Sequence, residues 1–72
     1  MTKDQLNKKI GLRIVELRNQ KGWSQSELAR NLGKDRQALE KLENGKVNPT
    51  LYSLNQVATA LDISLSELFD AF

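Results

Sequence analysis

Seventy-two residues with no cysteine, no histidine and a formal net charge of +2 make one small domain held by packing alone, so disulfide staples, zinc sites of the usual kinds and histidine-based acid-base catalysis are excluded. A chain this short buries only about 60% of the surface its unfolded form exposes, and its stability is modest. No apolar run approaches the roughly 18 residues of a membrane span, and the opening MTKDQLNKK lacks the apolar stretch of a secretion signal; a cytoplasmic location is expected, with no metal and no cofactor.

The charge is unevenly divided. Residues 1 to 46 hold all 11 Lys and Arg against 6 Asp and Glu, a balance of +5, whereas residues 47 to 72 hold 3 acids and no base, a balance of −3. A basic front suits a polyanion, because neutralised phosphates release condensed counterions. Equally, 28% charged residues is ordinary for a solvated surface.

Thr2 to Gln5 can cap a first helix, in which Leu6, Ile10, Ile14 and Leu17 recur at spacings of three and four and which ends near Gly22. Leu12 and Val15 lie off this stripe and are expected to be half-covered by the chain ends, the alternative being a contact surface. Arg18 falls on the inward side, where a charge is costly unless paired; otherwise it is a surface residue worth almost nothing.

Ser24 and Glu27 have the S-x-x-E spacing of a capping box, and Trp23 and Leu28 have the spacing of a hydrophobic staple. Leu28, Ala29 and Leu32 form one apolar face, and Gly33 stands where that helix would end. Asp35 can cap the next helix, with Leu39 and Leu42 inward and Asn44-Gly45 as its stop. Two short helices joined by a turn containing Gly, over about residues 24–44, form a helix-turn-helix unit. With Leu39 at zero and about 100° per residue, Gln37 lies near 160°, Lys41 near 200° and Asn44 near 140°, with Glu40 to one side. This outward polar face either fits a major groove, where Gln can bond adenine and Lys or Arg guanine, or is simply the solvated side of a surface helix.

Residues 46–48 read as a loop, Pro49 blocks helix continuation, and Thr50 can cap a fourth helix with Leu51, Leu54, Ala58 and Leu61 buried and Tyr52 exposed. Asp62 and Ile63 lead to Ser64, whose partner Glu67 marks another capping box and a last helix with Leu65, Leu68, Phe69 and Phe72. The acidic end has no evident work on a polyanion, so residues of about 62–72, chiefly Leu65, Phe69 and Phe72, are expected at a dimer interface; Phe69 can equally close the core. There is no S-x-x-K, Gly-rich phosphate loop or paired carboxylate near a base, and no catalytic residue or enzymatic activity is expected.

The words SQSELARNLG and LEKLENGKVNPTLYSLNQVATALDISLSELF resemble the phage-repressor and Cro type of helix-turn-helix proteins, also called the xenobiotic-response-element family, from about Ile10 to Phe69. The resemblance implies an all-α, compact five-helix, lambda-repressor-like fold over residues 1–72, a single DNA-binding domain. It implies base reading by Arg36, Gln37 and Lys41, with Glu40 either accepting from a cytosine amino group or repelling phosphate. Gln25 resembles the family Gln that binds a backbone phosphate and braces the reading helix, and Arg18 is expected to meet Glu43 of the E-N-G segment. Arg13, Asn44 and Lys46 are expected at phosphates, positioning the protein without reading sequence. Asp35 departs from the commoner Ser or Thr, and its charge weakens any phosphate contact there.

The expected function is that of a sequence-specific double-stranded DNA-binding transcription regulator, a homodimeric repressor or controller on a near-palindromic operator, with no membrane association and no evident small-molecule effector. The resemblance also covers controllers of restriction-modification genes and antitoxins of toxin pairs. The alternative from another class is a protein-interaction adaptor on the same scaffold.

Overall fold

Helix starts are the strongest local signals in this chain, and each one forms. A computed structural model, describing residues 1–70 and 72, has five helices among the described residues: α1 (Lys3–Gln20), α2 (Gln25–Leu32), α3 (Arg36–Glu43), α4 (Leu51–Ala60) and α5 (Leu65–Leu68). The residue before each start, Thr2, Ser24, Asp35, Thr50 or Ser64, is extended, and its side-chain oxygen accepts from the backbone N–H three residues on. In α1, α2 and α5 the third helical side chain, Gln5, Glu27 or Glu67, accepts in return from the cap backbone. Such caps are each worth about 1 kcal/mol.

The first four helices also share one ending. Trp23 N–H donates to the Arg18 carbonyl at 3.1 Å, Lys34 to Ala29 at 2.9 Å, Lys46 to Lys41 at 2.9 Å and Ile63 to Ala58 at 2.9 Å. Each pair closes a Schellman turn around a left-handed residue, which satisfies the orphan carbonyls and reverses the chain. Gly22, Gly33 and Gly45 turn the first three; Asp62, at φ 60°, turns the fourth.

Every helix contributes to one core, in which Ile10, Ile14, Leu28, Leu39, Leu54, Val57, Leu61 and Leu68 are buried and Trp23, Leu32, Leu42, Leu65 and Phe69 pack around them. At Gly11 the α1 backbone lies against that of α3. A Cβ there would collide with the Glu43 carbonyl oxygen and stand 2.8 Å from that of Leu42, so only Gly permits this approach.

Several expectations at the margins are corrected. Leu12 is 67% exposed, not half-covered: two residues from both Ile10 and Ile14, it points to the far side of α1. Val15 is half-buried. Leu6, at the start of the stripe, is partly exposed, and Leu51 is 67% exposed, with Val57 taking the core position assigned to it. The last helix is one turn only. Phe69 and Asp70 donate to Ser66 and Glu67, three residues back, and Phe72 folds over so that its ring meets Phe69 edge-on at 5.5 Å and lies under the Lys9 ammonium at 5.6 Å. No helix among the described residues is long and apolar enough to cross a membrane.

Candidate nucleic-acid interface

The α2–turn–α3 unit presents one helix outward. Asp35 starts α3 by accepting from Ala38 N–H at 2.7 Å. Leu39 and Glu43 are buried on the inner side, with Leu42 half-buried, which leaves Arg36, Gln37, Glu40 and Lys41 exposed, followed by exposed Asn44 and Lys46. Among the described residues the ion pairs are Arg13–Glu16 and Arg18–Glu43, so Arg36, Lys41 and Lys46 carry positive charge not held by a carboxylate.

A buried clamp sets the position of this helix. Arg18 donates from Nε to Glu43 Oε2 at 2.8 Å and from Nη2 to Oε1 at 3.2 Å, and its Nη1 reaches the Trp23 carbonyl at 2.9 Å. Gln25 Nε2 donates to the same Oε1 at 2.8 Å. One carboxylate at the end of α3 thus gathers the end of α1 and the start of α2. The Gln25 amide nitrogen retains a second N–H for an outside acceptor.

Arg13, expected at a phosphate, stands on α1 against α5. Its Nε and Nη2 donate to the carbonyls of Leu68 and Glu67 at 3.1 and 2.8 Å, and its Nη1 to Glu16 at 2.7 Å. With the side chain only 14% exposed, two of the five guanidinium N–H donors tie α5 to α1 and a third holds Glu16. Leu65 and Phe69, expected at a dimer contact, are half-buried against the core, and Phe72 remains 43% exposed.

Sequence reasoning missed the anchor of the loop after α3. Asn7, buried on α1, donates to Asn48 Oδ1 at 2.6 Å, and Gly45 lies against the Lys8 backbone, so the segment carrying Lys46 is fixed from behind. The signal was present: Asn7 is a polar residue three and seven positions before Ile10 and Ile14, on their apolar stripe. Also missed was an open groove of about 530 Å³ between α3 and α4, whose polar lining includes Lys34, Gln37, Lys41, Thr50 and Ser53.

The capping carboxylates of Glu27 and Glu67 are held below the ordinary glutamate range by the backbone N–H groups of Ser24 and Ser64, then by the serine hydroxyls. Their charges sit at the starts of α2 and α5.

Comparison with known proteins gives the same fold. The family described as Helix-turn-helix matches residues 14–68. The chain is 38% identical over 63 residues to the uncharacterized HTH-type transcriptional regulator y4dJ of Sinorhizobium fredii, covering 88% of this chain and 82% of that protein. It is 40% identical over 62 residues to the HTH-type transcriptional regulator SinR of Bacillus subtilis, covering 85% of this chain but 56% of SinR. Among solved structures, the restriction-modification controller protein C.AhdI from Aeromonas hydrophila superposes with a TM-score of 0.89 at 40% identity, covering 96% of this chain and 100% of that one. A structure of SinR in complex with DNA superposes with a TM-score of 0.75 at 40% identity, covering 85% and 98%.

Proposed function

Because this chain belongs to the helix-turn-helix family, among regulators of the Cro and phage-repressor type, we propose that it is a sequence-specific double-stranded DNA-binding transcription regulator, acting in the cytoplasm as a dimer and without enzymatic activity. The observation that carries this reading is α3 itself: buried along Leu39 and Glu43, clamped by Arg18 and Gln25, and exposed along Arg36, Gln37, Glu40 and Lys41.

In this reading α3 lies in the major groove. Gln37 makes a bidentate pair with adenine, Arg36 and Lys41 reach guanine O6 and N7, and Glu40 accepts from a cytosine amino group, each good pair discriminating by about 1–3 kcal/mol. Lys46, Asn44 and the second N–H of Gln25 bind phosphates and set register. Two copies on a near-palindromic operator place the half-sites about 10 base pairs apart or a multiple of it.

Selection of bound sites from random duplex DNA tests this, followed by a salt titration on the recovered site. A recurring half-site and an affinity that falls steeply with salt are expected, the logarithmic slope being about −0.9 per phosphate neutralised. No recovered motif, together with salt-insensitive binding to protein partners, would place the chain among adaptor modules instead.

A further inference from the structure

The groove between α3 and α4 combines an apolar bed with cations that no carboxylate holds. Buried Leu39 and Val57 lie at its base, and Leu32, Leu42, Val47 and Pro49 flank them, with Val47 left 38% exposed. Its volume of about 530 Å³ falls within the roughly 300–1,000 Å³ of sites that hold small organic ligands, which are mostly apolar with a few placed polar groups. The charged residues of the lining are Lys34, Lys41 and Asp35. Both lysines are exposed and belong to neither ion pair among the described residues, whereas the Asp35 carboxylate accepts from the Ala38 N–H at 2.7 Å as a helix cap. Thr50 adds a donor: its Oγ1 accepts from the Ser53 N–H at 3.0 Å, which leaves its own O–H to give. The apolar spot on α1 formed by Met1, Lys8, Lys9 and Leu12 is different, because every one of these residues is exposed and nothing buried lines it.

We propose that the α3–α4 groove binds a small organic carboxylate with an apolar body, and that this ligand releases the protein from DNA; the release rests on the reading of α3 as the DNA-contacting helix. The apolar body covers Leu39, Val57 and Val47, and the carboxylate meets the Lys34 and Lys41 amines. A neutral apolar molecule leaves those amines unused, and a bare phosphate has nothing to set against the apolar bed. Gln37 and Lys41 line the groove and also belong to the exposed set on α3 that reads bases, so ligand and operator compete for the same side chains. By mass action, a competitor present at about nine times its dissociation constant lowers operator affinity about tenfold.

Decanoate, decanol and decyltrimethylammonium carry one alkyl chain with a negative, a neutral and a positive head. Each is titrated below its micelle concentration into the isotope-labelled protein without DNA, and the backbone amide shifts are followed by NMR. Decanoate should shift Ala38, Leu42, Val47 and Ser53 and bind about tenfold or more tighter than decanol, with decyltrimethylammonium weakest, as attraction to two cations requires. Lys34→Glu with Lys41→Glu, shown by circular dichroism to stay folded, should reverse that order. Equal affinity for the three probes, or shifts centred on Leu12, overturns the site, and the parent protein alone decides this if the variant does not fold. Operator binding is then measured with and without decanoate; an unchanged operator affinity at saturating decanoate overturns the release. The titrations contain no DNA, so failed site selection with ordered probe binding sinks the DNA reading alone, and a recovered operator without ordered probe binding sinks the groove alone.

Discussion

Arg18 and Glu43, 25 residues apart in sequence, share a two-pronged ion pair at 2.8 and 3.2 Å in which the carboxylate side chain is only 3% exposed and the Arg side chain 13%. Breaking a pair this buried leaves one charge without its partner, at a cost of about 3–5 kcal/mol, far above the 0 to about 1 kcal/mol of a surface pair. Arg18→Ala and Glu43→Ala are each expected to destabilise the fold on that larger scale, and the double variant by much less than the sum. Gln25→Ala, which removes a single hydrogen bond to the same carboxylate, should cost about 1 kcal/mol. Denaturant midpoints for the four proteins decide it; small, additive losses would mean that the clamp does not set α3.

The exposed side of α3 and the loop beyond it divide into two kinds of contact, and substitutions should separate them. Gln37→Ala or Arg36→Ala is expected to cost about 1–3 kcal/mol on the selected site and to relax preference at one position, while Lys46→Ala weakens all sequences alike and reduces the salt slope by about 1. Competition binding against single-base variants measures both. If Arg36, Gln37 and Lys41 can all become Ala with affinity and preference unchanged, α3 is not the reading helix.

Most of the fold was legible because its boundaries are local. Thr2, Ser24, Asp35, Thr50 and Ser64 each announce a helix through one side chain and one N–H three residues away, and Gly22, Gly33 and Gly45 end helices for reasons contained in their own φ values. The outward set on α3 followed from periodicity once Leu39 was placed inside. Illegible were features decided by which elements meet. Arg13 reads as a free cation in a basic segment, yet it also donates to the Glu67 and Leu68 carbonyls more than 50 residues away. Leu51 reads as core from its spacing to Leu54 and Ala58, but α4 rotates Val57 inward and leaves Leu51 outside. Gly11 is needed only because α3 crosses α1 there.

Arg13 gives a sharp contrast with Lys46. Three of its five N–H donors are engaged within the chain and its side chain is largely covered, so Arg13→Ala should change the salt slope of DNA binding less than Lys46→Ala does while lowering stability by about 1.5–3 kcal/mol, the range for hydrogen bonds to a charged group. A salt titration of this variant beside Lys46→Ala is the check. A slope reduced by about 1 for Arg13→Ala would return it to the phosphate contacts.

The capping glutamates make part of the stability depend on pH. The carboxylates of Glu27 and Glu67 are held below the ordinary range in the folded chain by N–H donors of Ser24 and Ser64, so the folded state binds their protons less readily than the unfolded state does. Their contribution is therefore fully present above the unfolded value of about 4.3 and is lost as pH falls through the lower folded value. Glu27→Gln with Glu67→Gln retains a neutral acceptor at each cap and should flatten the fall of the thermal midpoint on acidification. An identical acid slope in this variant and the parent would show that the caps do not carry it.

The Schellman turn after α4 is the one of the four built without glycine. Asp62 sits at φ 60°, a conformation in which an L side chain crowds the following carbonyl, though Asp and Asn tolerate it better than most. It also places a carboxylate at the negative end of α4, against the helix dipole. Asp62→Gly removes both costs, while the freer unfolded chain returns part of the gain; a net stabilisation of about 0.5–1 kcal/mol is expected. Asp62→Asn separates the two causes, because it keeps a side chain at positive φ and removes only the charge. If Asn gives the whole gain, the dipole dominates; if it gives almost none, the backbone does. Thermal unfolding of the three proteins measures the split, and a Gly variant no more stable than the parent would mean that Asp62 already meets the turn without strain.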